Sequence, residues 1–226
     1  MPYRYTPCIT GEIYHIFNRS NAEEHIFQDK REHKRFQNLL NYYRFENHSQ
    51  RFSSYAKLSI ENQFKYISNI QENNRERISI HAFCVLSNHY HLLLRQEIDN
   101  GISDFISHIQ NAYAKYIDVK RNRIGSVFQC MYKAVRIESE EQLLHTHRYI
   151  HLNPSTSQIV KTDTELFKYP WSSLSTFIGI TNYNFIHTEL IASLFSSTDK
   201  YKEFISDQIE YQRMIKIQLR TPEVRS

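Results

Sequence analysis

The stretch ISIHAFCVLSNHYHLLLR, Ile78 to Arg95, decides the fold. Ile78 to Leu86 is dense in β-branched, aliphatic and aromatic residues, which suit a buried strand. Ser87-Asn88 supplies a short polar turn, and His89 to Arg95 reads as the returning strand of a β-hairpin. Side chains alternate between the two faces of a strand. Tyr90, Leu92 and Leu94 therefore anchor one face in a core, while His89 and His91 leave the other face together.

Working outward, Gly11 to Asn18 (GEIYHIFN) has strand composition, and Asp29 to Phe45 places Phe36, Leu39, Leu40 and Tyr43 on one helical face. Glu46 to Arg77 is polar with scattered apolar residues and reads as a mostly helical insertion. Beyond the hairpin, Ser103 to Lys120 predicts a helix with Phe105, Ile109, Tyr113 and Ile117 inward, and Val127 to Ile137 predicts a strand. Glu140 to Asn153 predicts a helix that stops at Pro154, whose ring and missing N–H oppose continuation. Strand, helix, hairpin, helix, strand is the order of an α+β, ferredoxin-like (split βαβ) antiparallel sheet with both helices on one face. Helical stretches over His187–Phe195 and Lys200–Leu219 add C-terminal helices.

Composition excludes several function classes. Only Gly11, Gly101, Gly125 and Gly179 occur in the 226 residues, so neither a dinucleotide fingerprint nor a P-loop can be written. Cys8, Cys84 and Cys130 form no C-x-x-C pair, which argues against a disulfide scaffold or a cysteine zinc site. No apolar run reaches the roughly 18 residues that a membrane span needs. The opening residues also lack the apolar core of a signal peptide, so a soluble, cytoplasmic protein is expected. The 28 Lys and Arg against 24 Asp and Glu leave a net charge of +4, which fits an anionic partner. Tyrosine is abundant, at 16, and can stack on bases or act as a nucleophile.

Three constellations carry chemistry. Two imidazoles on one rigid face, His89 and His91, make half of a divalent metal site, although such a pair also arises as two half-exposed polar residues. Tyr149 and Asn153 stand four apart on a helix and share a face, with His145 one turn earlier. The Asn153 amide oxygen is a hard neutral donor that would complete a site for Mg²⁺ or Mn²⁺, with Tyr149 about one turn, roughly 5–6 Å, away. A packed aromatic and a helix C-cap are the plainer roles for these two residues. His147 and His151 lie on the opposite helix face, and without a following Glu they fail the metalloprotease pattern; they read as structural or surface histidines. Cations gather at Lys115, Lys120, Arg121 and Arg123, at Lys133 and Arg136, and at Arg148, with Tyr113, Tyr116 and Tyr132 between them. That mixture suits a single-stranded backbone and its bases, and equally an ordinary charged surface.

Taken jointly, VLSNHYHLLL (Val85–Leu94), GSVFQCMYKAVRI (Gly125–Ile137), HRYIHLNP (His147–Pro154) and YPWSSLSTFIG (Tyr169–Gly179) resemble the HUH single-tyrosine transposases. The closest branch is the REP-associated tyrosine transposase-like proteins, and YHIFNRSNAEEHIF (Tyr14–Phe27) is similar to that family's first strand and turn. The resemblance implies a transposase domain over residues 1–179, with a helical insertion at about 46–77, and a helical extension over 180–226. It implies His89, His91 and Asn153 as ligands of Mg²⁺ or Mn²⁺ and Tyr149 as the nucleophile on single-stranded, hairpin-containing DNA. The products would be a 5′-phosphotyrosine and a free 3′-OH. Arg19, Lys115, Arg121, Arg123, Lys133, Arg136 and Arg148 are the expected DNA-binding cations, and a homodimer is among the assemblies the family uses. Cys130-Met131 stands where the family usually has Gly-Arg, and Ser20 where it usually has Gly.

Two other readings compete. A catalytically silent single-stranded nucleic-acid binder would not require His89, His91, Tyr149 and Asn153 together. A metal-dependent phosphodiesterase without a covalent step would make Tyr149 dispensable.

Overall fold

The structure, a computed structural model, describes residues 7–208. Its centre is a four-stranded antiparallel sheet in the order β2-β3-β1-β4, formed by β1 (Ile13–Arg19), β2 (Ile78–Val85), β3 (His89–Gln96) and β4 (Lys133–Arg136). Each crossover skips one strand position, so β1 and β2 flank β3, and β3 and β4 flank β1, as the split βαβ arrangement requires. The expected ferredoxin-like α+β fold is therefore the observed one.

The two crossover helices, α1 (Lys30–Tyr43) and α4 (Gly101–Arg121), lie on one face, with α2 (Phe52–Tyr55) and α3 (Ile60–Asn73) between α1 and β2 in the chain. Asp29 caps α1 by accepting from the Glu32 N–H, and Ser59 caps α3 by accepting from the Asn62 N–H. Phe36, Leu39, Leu40, Phe105, Ile109 and Tyr113 pack with Tyr90, Leu92 and Leu94 in one core. Each of those β3 side chains is fully buried, worth about 1.5–3 kcal/mol apiece for Leu92 and Leu94, and Gln110 donates to the buried Tyr90 hydroxyl. Gly101 begins α4 where the backbone runs against the β2 entry: a Cβ there would sit 2.2 Å from the Arg77 carbonyl oxygen.

The opposite face is covered by α5 (Glu140–Thr156), which packs on β2 and β3 and builds a second core around Ala82, Cys84, Leu93, Ile150 and Leu152. Helix α5 thus lies across the sheet from the two crossover helices. Helix α5 also continues through Pro154 to Thr156 instead of ending at Asn153. Proline at this point removes one N–H bond only one turn from the end. The Ser157 N–H and the Thr156 hydroxyl both still donate to the Asn153 carbonyl.

The predicted strand Val127–Ile137 is shorter than expected. Only Lys133–Arg136 pairs regularly with β1, with an isolated bridge from Phe128 to Ser20 upstream. The reason is burial: Phe128 is inside, whereas Gln129, Cys130 and Met131 between the bridge and β4 are exposed, so no continuous apolar face carries the pairing across them.

After α5 come α6 (Asp163–Phe167), α7 (Leu174–Phe177), α8 (Glu189–Ala192) and α9 (Thr198–Ser206). The predicted helix over His187–Phe195 shrinks to the single turn α8. The predicted helix Lys200–Leu219 starts earlier, as α9, and its part from 209 onward lies outside the described residues. The C-terminal chain seals the β2 edge: the Val85 N–H donates to the Trp171 carbonyl, and the Ser173 and His187 N–H groups donate to the Phe83 and Ile80 carbonyls. An edge so covered offers no template for pairing with another chain. No helix among the described residues is long and apolar enough to cross a membrane.

Candidate active site

A cavity of about 650 Å³ opens on the α5 side of the sheet, with His89, His91, Tyr149, Asn153, Arg19 and Lys133 among its lining residues. Strand alternation delivers the histidines. His91 is opposite Phe17 and His89 opposite Arg19 in the β1–β3 register. Helix α5 delivers Tyr149 and Asn153 one turn apart, with Tyr149 41% exposed and Asn153 buried. The Tyr149 ring stands edge-on to His91 with centroids 5.5 Å apart, and the two β3 imidazoles are themselves edge-on at 5.2 Å. The nucleophile candidate and both histidines thus converge within one chain.

His15, not singled out from the sequence, completes the cluster. It shares the face of His91, with Nε2 2.9 Å from His91 Nδ1, and its ring is 5.9 Å from that of Tyr149. Burial pushes the His15 pKa down to about 4, so near neutral pH its imidazole is uncharged. On the other histidine, Nδ1 lies 2.6 Å from the Asn88 side-chain oxygen. In both contacts the nitrogen engaged on the β3 histidine is Nδ1. When Nδ1–H donates to these partners, Nε2 carries the lone pair, the tautomer a metal ligand needs. The sequence signal for His15 was its place at alternating spacing with Phe17 on β1, which becomes informative only when β1 is known to pair with β3.

The donor set fits a hard or borderline divalent cation. Among the described residues no three His, Cys, Asp or Glu side chains gather as a metal site, so a third protein donor beside His89 and His91 would be of another type. Asn153 meets that need: its Nδ2 donates to the Tyr149 carbonyl at 3.0 Å, which fixes the amide and leaves its oxygen as the donor atom for a ligand. Two imidazoles and an amide suit Mn²⁺ and accommodate Mg²⁺ with waters.

The seven candidate DNA-binding cations separate. Arg19 and Lys133 line the cavity, Arg19 also pairing with Glu23 at 2.8 Å. Arg121 and Arg123 are engaged inside the protein: Arg121 reaches Glu32 and the His25 carbonyl, and Arg123 reaches Glu24. Arg136 pairs with Glu12. Arg148 is buried and points away from the cavity, its guanidinium 4.2 Å from the Phe204 ring and donating to the Phe204 carbonyl. Lys115 lies on the other side of the sheet, in the helical layer. His145 is exposed and outside the cavity lining. Asn18, His25 and Gln129 also line the cavity, and no sequence motif marks them as site residues.

Comparison with known proteins bears on the fold and family. Residues 50–153 match the family model described as transposase IS200 like, a segment that contains β2, β3, α4, β4 and α5 up to Asn153. Among solved structures, the chain is similar to one of a REP-associated tyrosine transposase bound to a REP hairpin. The TM-score is 0.51 at 14% sequence identity, and the match covers 83% of this chain and 97% of that one. Likeness at that identity establishes a common fold. No curated protein matches the chain.

Proposed function

From the match of residues 50–153 to the IS200-like transposase family model, we propose that the chain nicks single-stranded DNA and transfers the strand through a covalent bond to Tyr149. The observation that carries this reading is the convergence of Tyr149 with His89, His91 and Asn153 on one cavity. In the proposed step the Tyr149 Oη bonds to a backbone phosphorus, the P–O3′ bond breaks, and the 3′ oxygen leaves as a hydroxyl. The phosphoester is conserved as 5′-phosphotyrosine, so a second 3′-OH can reverse the reaction without a nucleotide cofactor.

His89, His91 and Asn153 would hold a Mg²⁺ or Mn²⁺ ion, which when bound supplies Lewis-acid polarisation of the phosphate and orients it for in-line displacement. His15 and Asn88 hold the β3 imidazoles in orientation through Nδ1. Arg19 and Lys133 provide positive charge at the cavity for the strand's flanking phosphates. Tyr149 stands beside the histidines of its own chain, which supports cleavage in cis, within one subunit. Hairpin DNA is the preferred substrate class, by analogy with the similar structure that holds one.

The test is a denaturing gel of the protein with labelled single-stranded hairpin DNA from the flanks of its own gene, with Mn²⁺ or with EDTA. A metal-dependent, protein-sized labelled band is the expected result. Free cleaved DNA with no such band would replace the covalent mechanism by hydrolysis, and binding without cleavage at every flank would favour a silent binder.

A further inference from the structure

A second groove, of about 560 Å³, lies on the helical layer, among Arg35 and Tyr43 of α1, Arg51 and Phe52 at the start of α2, and Lys115 and Tyr116 of α4. Helices α1 and α4 pack on the sheet face that carries Tyr90, Leu92 and Leu94, so this groove and the Tyr149 cavity belong to opposite sides of the sheet. We propose that the groove is a separate binding site for a segment of single-stranded nucleic acid, with bases against its aromatic wall and phosphates on Arg51 and Lys115.

Charge is the first argument. The lining holds four cations and no carboxylate. Of those four only Lys120 has an ion-pair partner, reaching Asp29 and Glu32; among the described residues Arg35, Arg51 and Lys115 have none. This contrasts with Arg121 and Arg123 on the same helix end, which are neutralised by Glu32 and Glu24. Arg51 and Lys115 are also exposed, so their charge faces an incoming ligand.

Stacking surface is the second argument. The Arg35 guanidinium lies 4.4 Å from the Phe52 ring centre and 5.1 Å from that of Tyr116. Phe52 itself is buried, so the planar groups with surface left in the lining are Arg35, Tyr43 and Tyr116. Val119 at the rim is 78% exposed, leaving apolar surface beside the cations. Planar faces, unpaired cations and a concave shape are what an unstacked strand uses; a duplex keeps its base faces inside and cannot use the wall.

The choice of ligand class rests on the proposed action on single-stranded DNA, whereas the geometry of the groove does not. A strand held here and cleaved at Tyr149 must pass around the sheet, so the groove would anchor a flank at a fixed distance from the nick.

Fluorescence anisotropy of a labelled 12-residue oligothymidylate in EDTA, read across a salt series on the full chain, tests the site. Arg51→Ala with Lys115→Ala should weaken binding about tenfold and lower the salt slope by about 1.4, from two lost phosphate contacts on a single strand. Ser53→Glu, an exposed lining position, should weaken it by charge repulsion alone. An oligonucleotide carrying 5-iodouracil should photocrosslink to the peptides holding Tyr43 or Tyr116. Unchanged affinity and slope in both variants, with crosslinks confined to the β1, β3 and α5 peptides, would overturn the proposal. Weakened binding in a protein that never forms the Mn²⁺-dependent adduct would keep this groove and reject the transposase mechanism; adduct formation with unaltered oligonucleotide binding would do the reverse.

Discussion

Two pairs of histidines sit on neighbouring elements and have opposite fates. His89 and His91 on β3 face a cavity, with Nδ1 of each against a fixed partner, His15 or Asn88. His147 and His151 on α5 are fully buried under α9 and α7. There His147 Nε2 and His151 Nδ1 lie 2.9 and 3.2 Å from the Tyr201 hydroxyl, His151 Nε2 lies 2.8 Å from the Ser173 hydroxyl, and Phe177 packs against both rings. Burial lowers both pKa values, that of His151 to about 3, so these rings serve as neutral polar packing. Spacing nominates both pairs; what separates them is whether the rings face a cavity or a packed core, and what each second nitrogen meets.

The sharpest break between the pairs comes from the nucleophile beside one of them. Tyr149→Phe should reduce adduct formation by at least about 10³-fold while oligonucleotide affinity stays within about twofold, read on the denaturing gel and by anisotropy. Next, His91→Ala should abolish Mn²⁺ binding in titration calorimetry and cleavage with it, whereas His151→Ala should leave the Mn²⁺ affinity of folded protein unchanged. His15→Phe should weaken Mn²⁺ by about 10–100-fold, because it removes only the group that orients a ligand. His15→Gln, which keeps an acceptor, should restore part of the loss.

On the buried side the expected currency is stability. His151→Ala should cost about 2–4 kcal/mol in denaturant unfolding, from a cavity and the unpaired Ser173 and Tyr201 hydroxyls. The mildest test is pH. His15 and His151, with pKa values held near 4 and 3 in the folded protein, bind protons more readily when unfolded. Stability is then fully present above about pH 6.5 and declines as pH falls through the interval down to those folded values. Replacing His151 with Phe should flatten that decline, measured by urea unfolding between pH 7.5 and 4.5; an unaltered slope would remove this residue from the account.

Much of this was legible in the chain. The alternation of Tyr90, Leu92 and Leu94 against His89 and His91 fixed both the buried face of β3 and the exit of the imidazoles, because strand period is a local property. The four-residue spacing of Tyr149 and Asn153 put them on one face of α5 for the same reason. The order of elements sufficed for the split βαβ sheet, since short connections leave few ways to arrange it.

Other features depended on long-range pairing. Nothing near His15 in the sequence announces that its ring meets His91, 76 residues away; only the β1–β3 register does so. Arg148 adjoins Tyr149 in sequence, yet one helical residue is about 100° of rotation, which turns it toward Phe204. Arg121 and Arg123 read as DNA-binding cations from sequence, whereas the fold pairs them with Glu32 and Glu24, almost a hundred residues earlier. The sequence by itself determined which residues share a face of one element. The tertiary structure decided which faces meet, and therefore which charges remain for a ligand, because burial and ion pairing depend on neighbours distant in the chain.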